Sequence, residues 1–150
     1  MEFTLALVKH HALARGAFNA IIDIIRVNDF KIIARCHFGH LDREKFESLY
    51  IDHLRKDYYS DLMDSVTPGS IALILRRENC IQCWRDLQGP TDPVKARMVA
   101  PESIRARFGG LALPDNATHG SDSKESAERE VEIFFPGWNE ILNDCRNFAE

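Results

Sequence analysis

Apolar residues along this chain change their spacing several times, and each change marks an element. Phe3 to Val8 is a short apolar run of the length expected for a buried strand. Phe18, Ile21, Ile22 and Ile25 then recur at helical spacing, and Asn28-Asp29 closes that helix. Phe30, Ile32, Ala34, Cys36 and Phe38 alternate with Lys31, Arg35 and His37, the period of a strand with one wet face. Asp42 is placed to cap a helix that carries Phe46, Leu49, Tyr50 and His53 on one side. Tyr59, Leu62, Met63 and Val66 predict a second short helix, stopped at Pro68-Gly69.

The second half opens with a third strand, the fully apolar Ile71 to Leu75, followed by a helix through Ile81, Trp84 and Leu87 that Asn79 would cap. From Gly89 to Asp115 prolines and glycines interrupt every period, which predicts a long loop; long ordered loops in compact domains are usually functional. Asn116 to His119 reads as a last short strand and Ser123 to Phe135 as the last long helix. Pro136-Gly137 ends it, and Trp138, Ile141, Leu142 and Cys145 predict a small terminal helix that packs back. The order is β-α-β, a helical pair, then β-α-β, an α+β sandwich with helices covering an antiparallel sheet. We read residues 1–150 as a single domain, with a core over 1–135 and a C-terminal extension over 136–150.

Composition adds mostly exclusions. With 45% hydrophobic and 28% charged residues, the 150-residue chain is ordinary for a globular domain. A formal charge of −4 and a pI near 5.9 give no electrostatic reason for binding a duplex, so nucleic acid is not expected as a partner. No apolar run approaches the ~20 residues of a membrane span. The chain starts directly on strand-like sequence, so no signal peptide is expected, and the four cysteines form no dense disulfide framework. These points predict a reducing, cytoplasmic compartment. Cys80 and Cys83 form a lone CxxC inside a helical pattern; without a second pair or suitably spaced histidines it reads as two small core residues, and no metal site is predicted there.

The chemistry concentrates in Asn116-Ala-Thr-His119-Gly120-Ser121-Asp-Ser123. This stretch puts a histidine on a short segment that ends in glycine and in polar residues suited to capping the next helix. On those grounds His119 is either a nucleophile or a hydrogen-bonded structural histidine. Glu130 sits in the apolar stripe of that helix with Ala127, Val131 and Phe134, where an unpartnered carboxylate would be costly. Its partner is either His119, whose tautomer it would set, or a lysine or arginine. Lys9 at the end of the first strand, with Arg85, Thr91 and Arg105 in and before the long loop, adds cations and a hydroxyl, a set that suits phosphate.

These residues resemble the nucleoside diphosphate kinase family over almost the whole chain. The matching stretches are Thr4 through Lys9, Arg85 through Pro93, Ser103-Ile-Arg105 and Asn116 through Glu130, of which the His-Gly-Ser-Asp-Ser core is highly specific. Trp84-Arg85, Gly89-Pro90-Thr91 and Ala100 through Arg105 are most similar to the divergent sixth-type, group II member. The resemblance implies a ferredoxin-like βαββαβ fold with an inserted helical hairpin. It implies ping-pong transfer of a γ-phosphoryl group from a nucleoside triphosphate to a diphosphate through a phosphohistidine on His119, with Glu130 orienting the ring and Ser121 assisting. Lys9, Arg85, Thr91 and Arg105 match phosphate-binding positions, and Tyr50 and Asn116 match positions that contact the sugar and the transition state. Tyr58 stands where the family places a ring against the base, with Leu62 completing that wall; for Tyr50, Tyr58 and Leu62 the alternative is core packing. Mg2+ would ride mainly on the nucleotide phosphates.

The chain also departs from the family pattern. Lys9 is followed by His10-His11 in place of Pro-Asp, and the usual Ser-Gly-Pro appears as Pro68-Gly69-Ser70. The segment from Thr91 to Arg105 is lengthened, Glu102 replaces a glycine, and the stretch from Arg105 to Asn116 is also longer. The resemblance implies a homo-oligomer, and the lengthened loop falls where the common isoforms build their hexamer. Sixth-type relatives as a group imply weak activity and association with mitochondria. The competing reading is a low-activity, nucleotide-binding relative that acts as an interaction module through a protein partner.

Overall fold

The computed structural model describes residues 1–148, with side-chain surroundings given through Asn143. Its sheet has four strands, β1 (Glu2–Val8), β2 (Lys31–Phe38), β3 (Ser70–Arg77) and β4 (Thr118–Gly120), in the order β2-β3-β1-β4 with every pairing antiparallel. This is the expected α+β, ferredoxin-like arrangement. The helices are α1 (His10–Ala14), α2 (Phe18–Val27), α3 (Arg43–Leu49), α4 (Tyr59–Asp64), α5 (Cys80–Gln88), α6 (Pro93–Val99), α7 (Ile104–Phe108), α8 (Lys124–Phe134) and α9 (Trp138–Phe148). The α3–α4 pair is the inserted hairpin.

The runs Leu5–Val8 of β1 and Ile71–Leu75 of β3 are apolar at every step because helices cover both faces of the sheet. Leu5 and Leu7 of β1, with Ala72 and Ile74 of β3, meet Phe46, Met63, Val131 and Phe134 on one side. Ala6 and Val8, with Leu73 and Leu75, meet Ile21, Ile25, Trp84 and Ile104 on the other. The first turns of α9 belong to this packing, since Leu142 is buried and the Trp138 ring lies 4.8 Å from Phe3. The side chain of Cys145 lies outside the described residues.

Three local expectations need correction. The alternation predicted from Phe30 to Phe38 is broken by a bulge between Ile32 and Ala34, which sends Phe30 and Ile32 to one face and Ala34 and Phe38 to the other. Asn79 does not cap α5 with its side chain; it turns through the left-handed region at φ 52°, and the carboxylate of Glu2 accepts from the Ile81 N–H at 2.8 Å instead. Asp42 likewise does not cap α3, its carboxylate accepting from the Gly39 N–H at 2.9 Å.

The largest correction is the stretch from Gly89 to Asp115. The expected long ordered loop carries two short helices, α6 and α7. Asp92 caps the first through the Val94 N–H, with Pro93 at its opening position, and Ser103 caps the second through the Ala106 N–H. Each helix is too short to show a period among the prolines and glycines around it. Cys80 is buried, its thiol donating to the Leu75 carbonyl at 3.3 Å, and burial pushes its pKa up to about 12. Cys83 is partly buried, and among the described residues no group of three His, Cys, Asp or Glu converges as a metal site would require.

Candidate active site

A cleft of about 780 Å³ opens between the α3–α4 hairpin, the C-terminal end of α5, the α6–α7 segment and β4. Lys9, Tyr50, Tyr58, Leu62, Arg85, Thr91, Arg105, Asn116 and His119 all line it. Glu130 and Ser121 stand behind His119, buried.

His119 is fixed from four directions. Its backbone pairs with Leu7 in the sheet, and its carbonyl accepts from the Trp84 indole N–H at 3.1 Å. Its ring Nε2 lies 2.5 Å from Glu130 Oε1, and the Tyr50 ring stands edge-on to it at 5.8 Å. Ser121 donates to the same Glu130 oxygen at 3.4 Å and is itself tied to β1, its Oγ accepting from the Leu5 N–H at 3.3 Å. With Nε2 donating to a carboxylate, Nδ1 is the nitrogen left with a free lone pair. The approach to His119 is tight: Ala117 turns at φ 71°, with the Thr118 N–H bonded to the Asn116 carbonyl at 2.8 Å. Next door, a Cβ on Gly120 would meet Trp84 and Gln88 side-chain atoms at 2.5 Å, so only glycine fits.

The cationic wall is built differently. Lys9 Nζ donates to the Pro114 carbonyl at 2.8 Å and to Asn116 Oδ1 at 3.0 Å, and the Asn116 amide donates on to the Thr91 carbonyl at 3.2 Å. Burial, then repulsion from Arg105, pulls Lys9 down to about 7 against the opposing pull of Asp115. Burial also lowers Arg105 to about 10, which leaves it charged at neutral pH. Arg105 Nη1 donates to the Gly89 carbonyl at 3.1 Å, and Nη2 donates to Gln88 Oε1 at 3.1 Å and to the Thr118 carbonyl at 3.0 Å. Arg85 is exposed on the rim. Burial first, then the nearby Glu130 charge, raises the Tyr50 phenol above its ordinary range, so at neutral pH it is a hydrogen-bond donor.

At the mouth Tyr58 is 43% exposed, so the core-packing alternative does not describe it; Tyr50, at 5%, is part of the core as well as the cleft wall. The Tyr58 hydroxyl lies 2.6 Å from His53 Nδ1. Sequence reasoning missed His53 in the cleft, as well as Gln88 and Asp122, which also line it. His53 carried no signal beyond a place on a helix face. Gln88 did carry one: it falls four residues after Trp84 and seven after Ile81, a polar side chain in the buried stripe of α5.

Known proteins resemble this chain in sequence and in fold. The nucleoside diphosphate kinase family model matches residues 2–139. Nucleoside diphosphate kinase 6 of Xenopus tropicalis is 40% identical over 145 residues, covering 93% of this chain and 78% of the relative. A nucleoside diphosphate kinase of Parafrankia is 39% identical, covering 91% of this chain and 96% of the relative, so sixth-type and bacterial members match to nearly the same degree. The crystal structure of the Aquifex aeolicus nucleoside diphosphate kinase superposes with a TM-score of 0.85 at 37% identity, over 91% of this chain and 96% of that one. The chain belongs to the nucleoside diphosphate kinase family.

Proposed function

We propose that this chain transfers the γ-phosphoryl group of a nucleoside triphosphate to a nucleoside diphosphate by a ping-pong route through His119. The observation that carries this reading is the 2.5 Å contact of His119 Nε2 with buried Glu130, on a ring that lines the cleft. Glu130 keeps the proton on Nε2, so Nδ1 attacks the γ-phosphorus without a proton first being removed. The bond from the γ-phosphorus to the bridging oxygen breaks, the diphosphate leaves, and a second diphosphate takes the group back from Nδ1 by the reverse step. Phosphoryl transfer asks a protein mainly for positioning and for charge opposite the phosphate oxygens. Lys9, Arg85 and Arg105 supply that charge, Asn116 braces Lys9, and the Tyr50 hydroxyl adds a neutral donor. Tyr58 and Leu62 form the wall for the base, and a stacking wall tolerates different bases.

Mg2+ fits this cleft as a companion of the nucleotide, because among the described residues the lining offers only Asp86 and Asp122 as carboxylates and the ion would supply charge to the phosphates. Turnover is favoured over a binding role alone because the lengthened segment is folded, not loose, and holds Arg105 at the cleft wall. Self-association is part of the reading as well: Val94, Met98, Val99 and Leu111 leave apolar surface exposed on and beside α6.

The test is incubation with γ-³²P-labelled ATP and Mg2+, a chase with unlabelled GDP, and a His119→Ala control. The expected result is an acid-labile, alkali-stable label that requires His119 and moves to GTP. Nucleotide binding without any label would overturn the reading.

A further inference from the structure

Among the cleft residues to which the resemblance gives no role are His53, Gln88 and Asp122, and of these three only Gln88 is buried. Gln88 is 2% exposed and sits in the last turn of α5, in line with the buried Ile81 and Trp84. A carboxamide buried in such a stripe is costly unless it is bonded. Its Oε1 accepts from Arg105 Nη2 at 3.1 Å and from the Thr118 hydroxyl at 2.9 Å, so both lone pairs are used. That fixes which end of the amide faces which way and lays Nε2 against Gly120.

The register of β4 separates this cluster from the nucleophile. Thr118 and Gly120 pair with Val8 and Ala6, whose side chains enter the core that holds Trp84, whereas His119 pairs with Leu7 and faces the opposite core. Gln88 therefore reaches Arg105 and not the histidine ring. Of the five N–H groups of Arg105, three are held by Gln88, Gly89 and Thr118. Arg105 Nε is buried with no partner among the described residues. Nε is closed off from the cleft, so the second N–H of Nη1, which makes no bond within the described residues, is the donor that the fork keeps for a ligand.

We propose that Gln88 is a positioning residue for phosphate binding, which holds the Arg105 fork so that its free Nη1 donor meets a phosphate oxygen of the nucleotide. This rests on the kinase reading above and adds a residue to it. Without Gln88, Arg105 keeps only its two backbone acceptors and can swing about them. The contribution is specific to phosphate: it acts through Arg105 and leaves the base wall of Tyr58 and Leu62 untouched.

The experiment is a double-mutant cycle of Gln88→Leu and Arg105→Ala, read by the affinity for ADP and by the single-turnover rate of His119 labelling. Gln88→Leu alone is expected to weaken ADP binding and slow labelling by roughly tenfold, the scale of one hydrogen bond to a charged group. In the Arg105→Ala background the same change is expected to cost nothing further, because the two residues act as one unit. Equal costs in both backgrounds, or an unchanged ADP affinity in Gln88→Leu, would overturn the proposal. If Gln88→Leu does not fold, Gln88→Glu replaces it: Oε1 stays, the added charge occupies Arg105, and ADP affinity is again expected to fall about tenfold, with no change overturning the idea. The wild-type label separates the two claims. Should wild type bind ADP yet never label, the kinase reading fails while the cycle in ADP affinity still decides the role of Gln88.

Discussion

The two walls of the cleft are held by opposite means. The wall that carries His119, the proposed nucleophile, runs from Thr118 to Phe134 (the nucleophile wall), and a single strand–helix unit makes it: β4 pairs with β1, Ser123 caps α8, and Glu130 comes round on the helix to meet His119. The cation wall runs from Gly89 to Asp115 and takes little support from the sheet. Side chains stitch it together. Arg97 donates to the carbonyls of Ala106, Gly109 and Gly110, which gathers the end of α7, and Arg15 pairs with Asp115 through both guanidinium nitrogens while also reaching the Phe108 carbonyl. A site on regular elements is held more tightly than one on stitched segments. Damage to the first wall should therefore appear in the chemical step, and damage to the second in the grip on phosphate.

The largest effect expected from this contrast belongs to Glu130→Gln. The amide preserves shape but removes the charge that fixes the ring tautomer and steadies the histidine. The labelling rate at saturating ATP should fall by roughly a hundred- to ten-thousand-fold, with ADP affinity changed less than about twofold. Rapid-quench labelling beside an ADP titration measures both. If affinity fell as far as rate, the two walls would not be separable in function.

On the opposite wall, Arg97→Ala removes three hydrogen bonds to carbonyls from an exposed guanidinium. Solvent limits the cost to about 1–2 kcal/mol of stability. Because Arg105 belongs to the α7 thus loosened, ADP affinity should fall about tenfold, while the rate at saturation falls less than about threefold. Denaturant melts and the same labelling assay test this. A rate loss equal to that of Glu130→Gln would show that the stitches position the nucleophile as well.

The same contrast explains what the sequence disclosed. The order of elements, the helical pair and the carboxylate near His119 were legible because their signals are local: apolar runs at Leu5–Val8 and Ile71–Leu75, and Glu130 in the stripe of α8 eleven residues after His119, though its partner stayed open between the histidine and a cation. The α6–α7 segment was not, since its order comes from pairs far apart in the chain, such as Arg15 with Asp115, that leave no periodic trace. Gln88 lay between these cases. Its place in an apolar stripe was readable, but the partner that explains it, Arg105, stands 17 residues on, across a stretch that read as loop. The bulge at Ile33 was hidden for another reason, because the apolar run Ile32-Ile33-Ala34 satisfies either face.

Lys9 joins the walls, and its titration offers the finest test of how they cooperate. It extends from the end of β1, yet its ammonium is held by Pro114 from the stitched segment and by Asn116, two residues before the nucleophile wall begins. Its pKa falls from 10.5 to about 7 in the folded protein, through burial first and then Arg105. The unfolded chain therefore binds more protons between pH 7 and 10.5, and this residue's penalty on stability is relieved as pH rises through that window. Nucleotide binding runs the other way, because phosphate favours the charged ammonium. Above pH 7 Lys9 must take up a proton to bind, so ADP affinity should fall by several-fold per pH unit, approaching tenfold. Titration calorimetry at pH 8 in two buffers of different ionisation heat should reveal uptake of nearly one proton, and Lys9→Gln should abolish most of it. If Arg97→Ala also reduced that uptake, the stitched wall would be shown to set the environment of Lys9 through Pro114; if uptake were unchanged, the nucleophile wall and Asn116 alone would hold it.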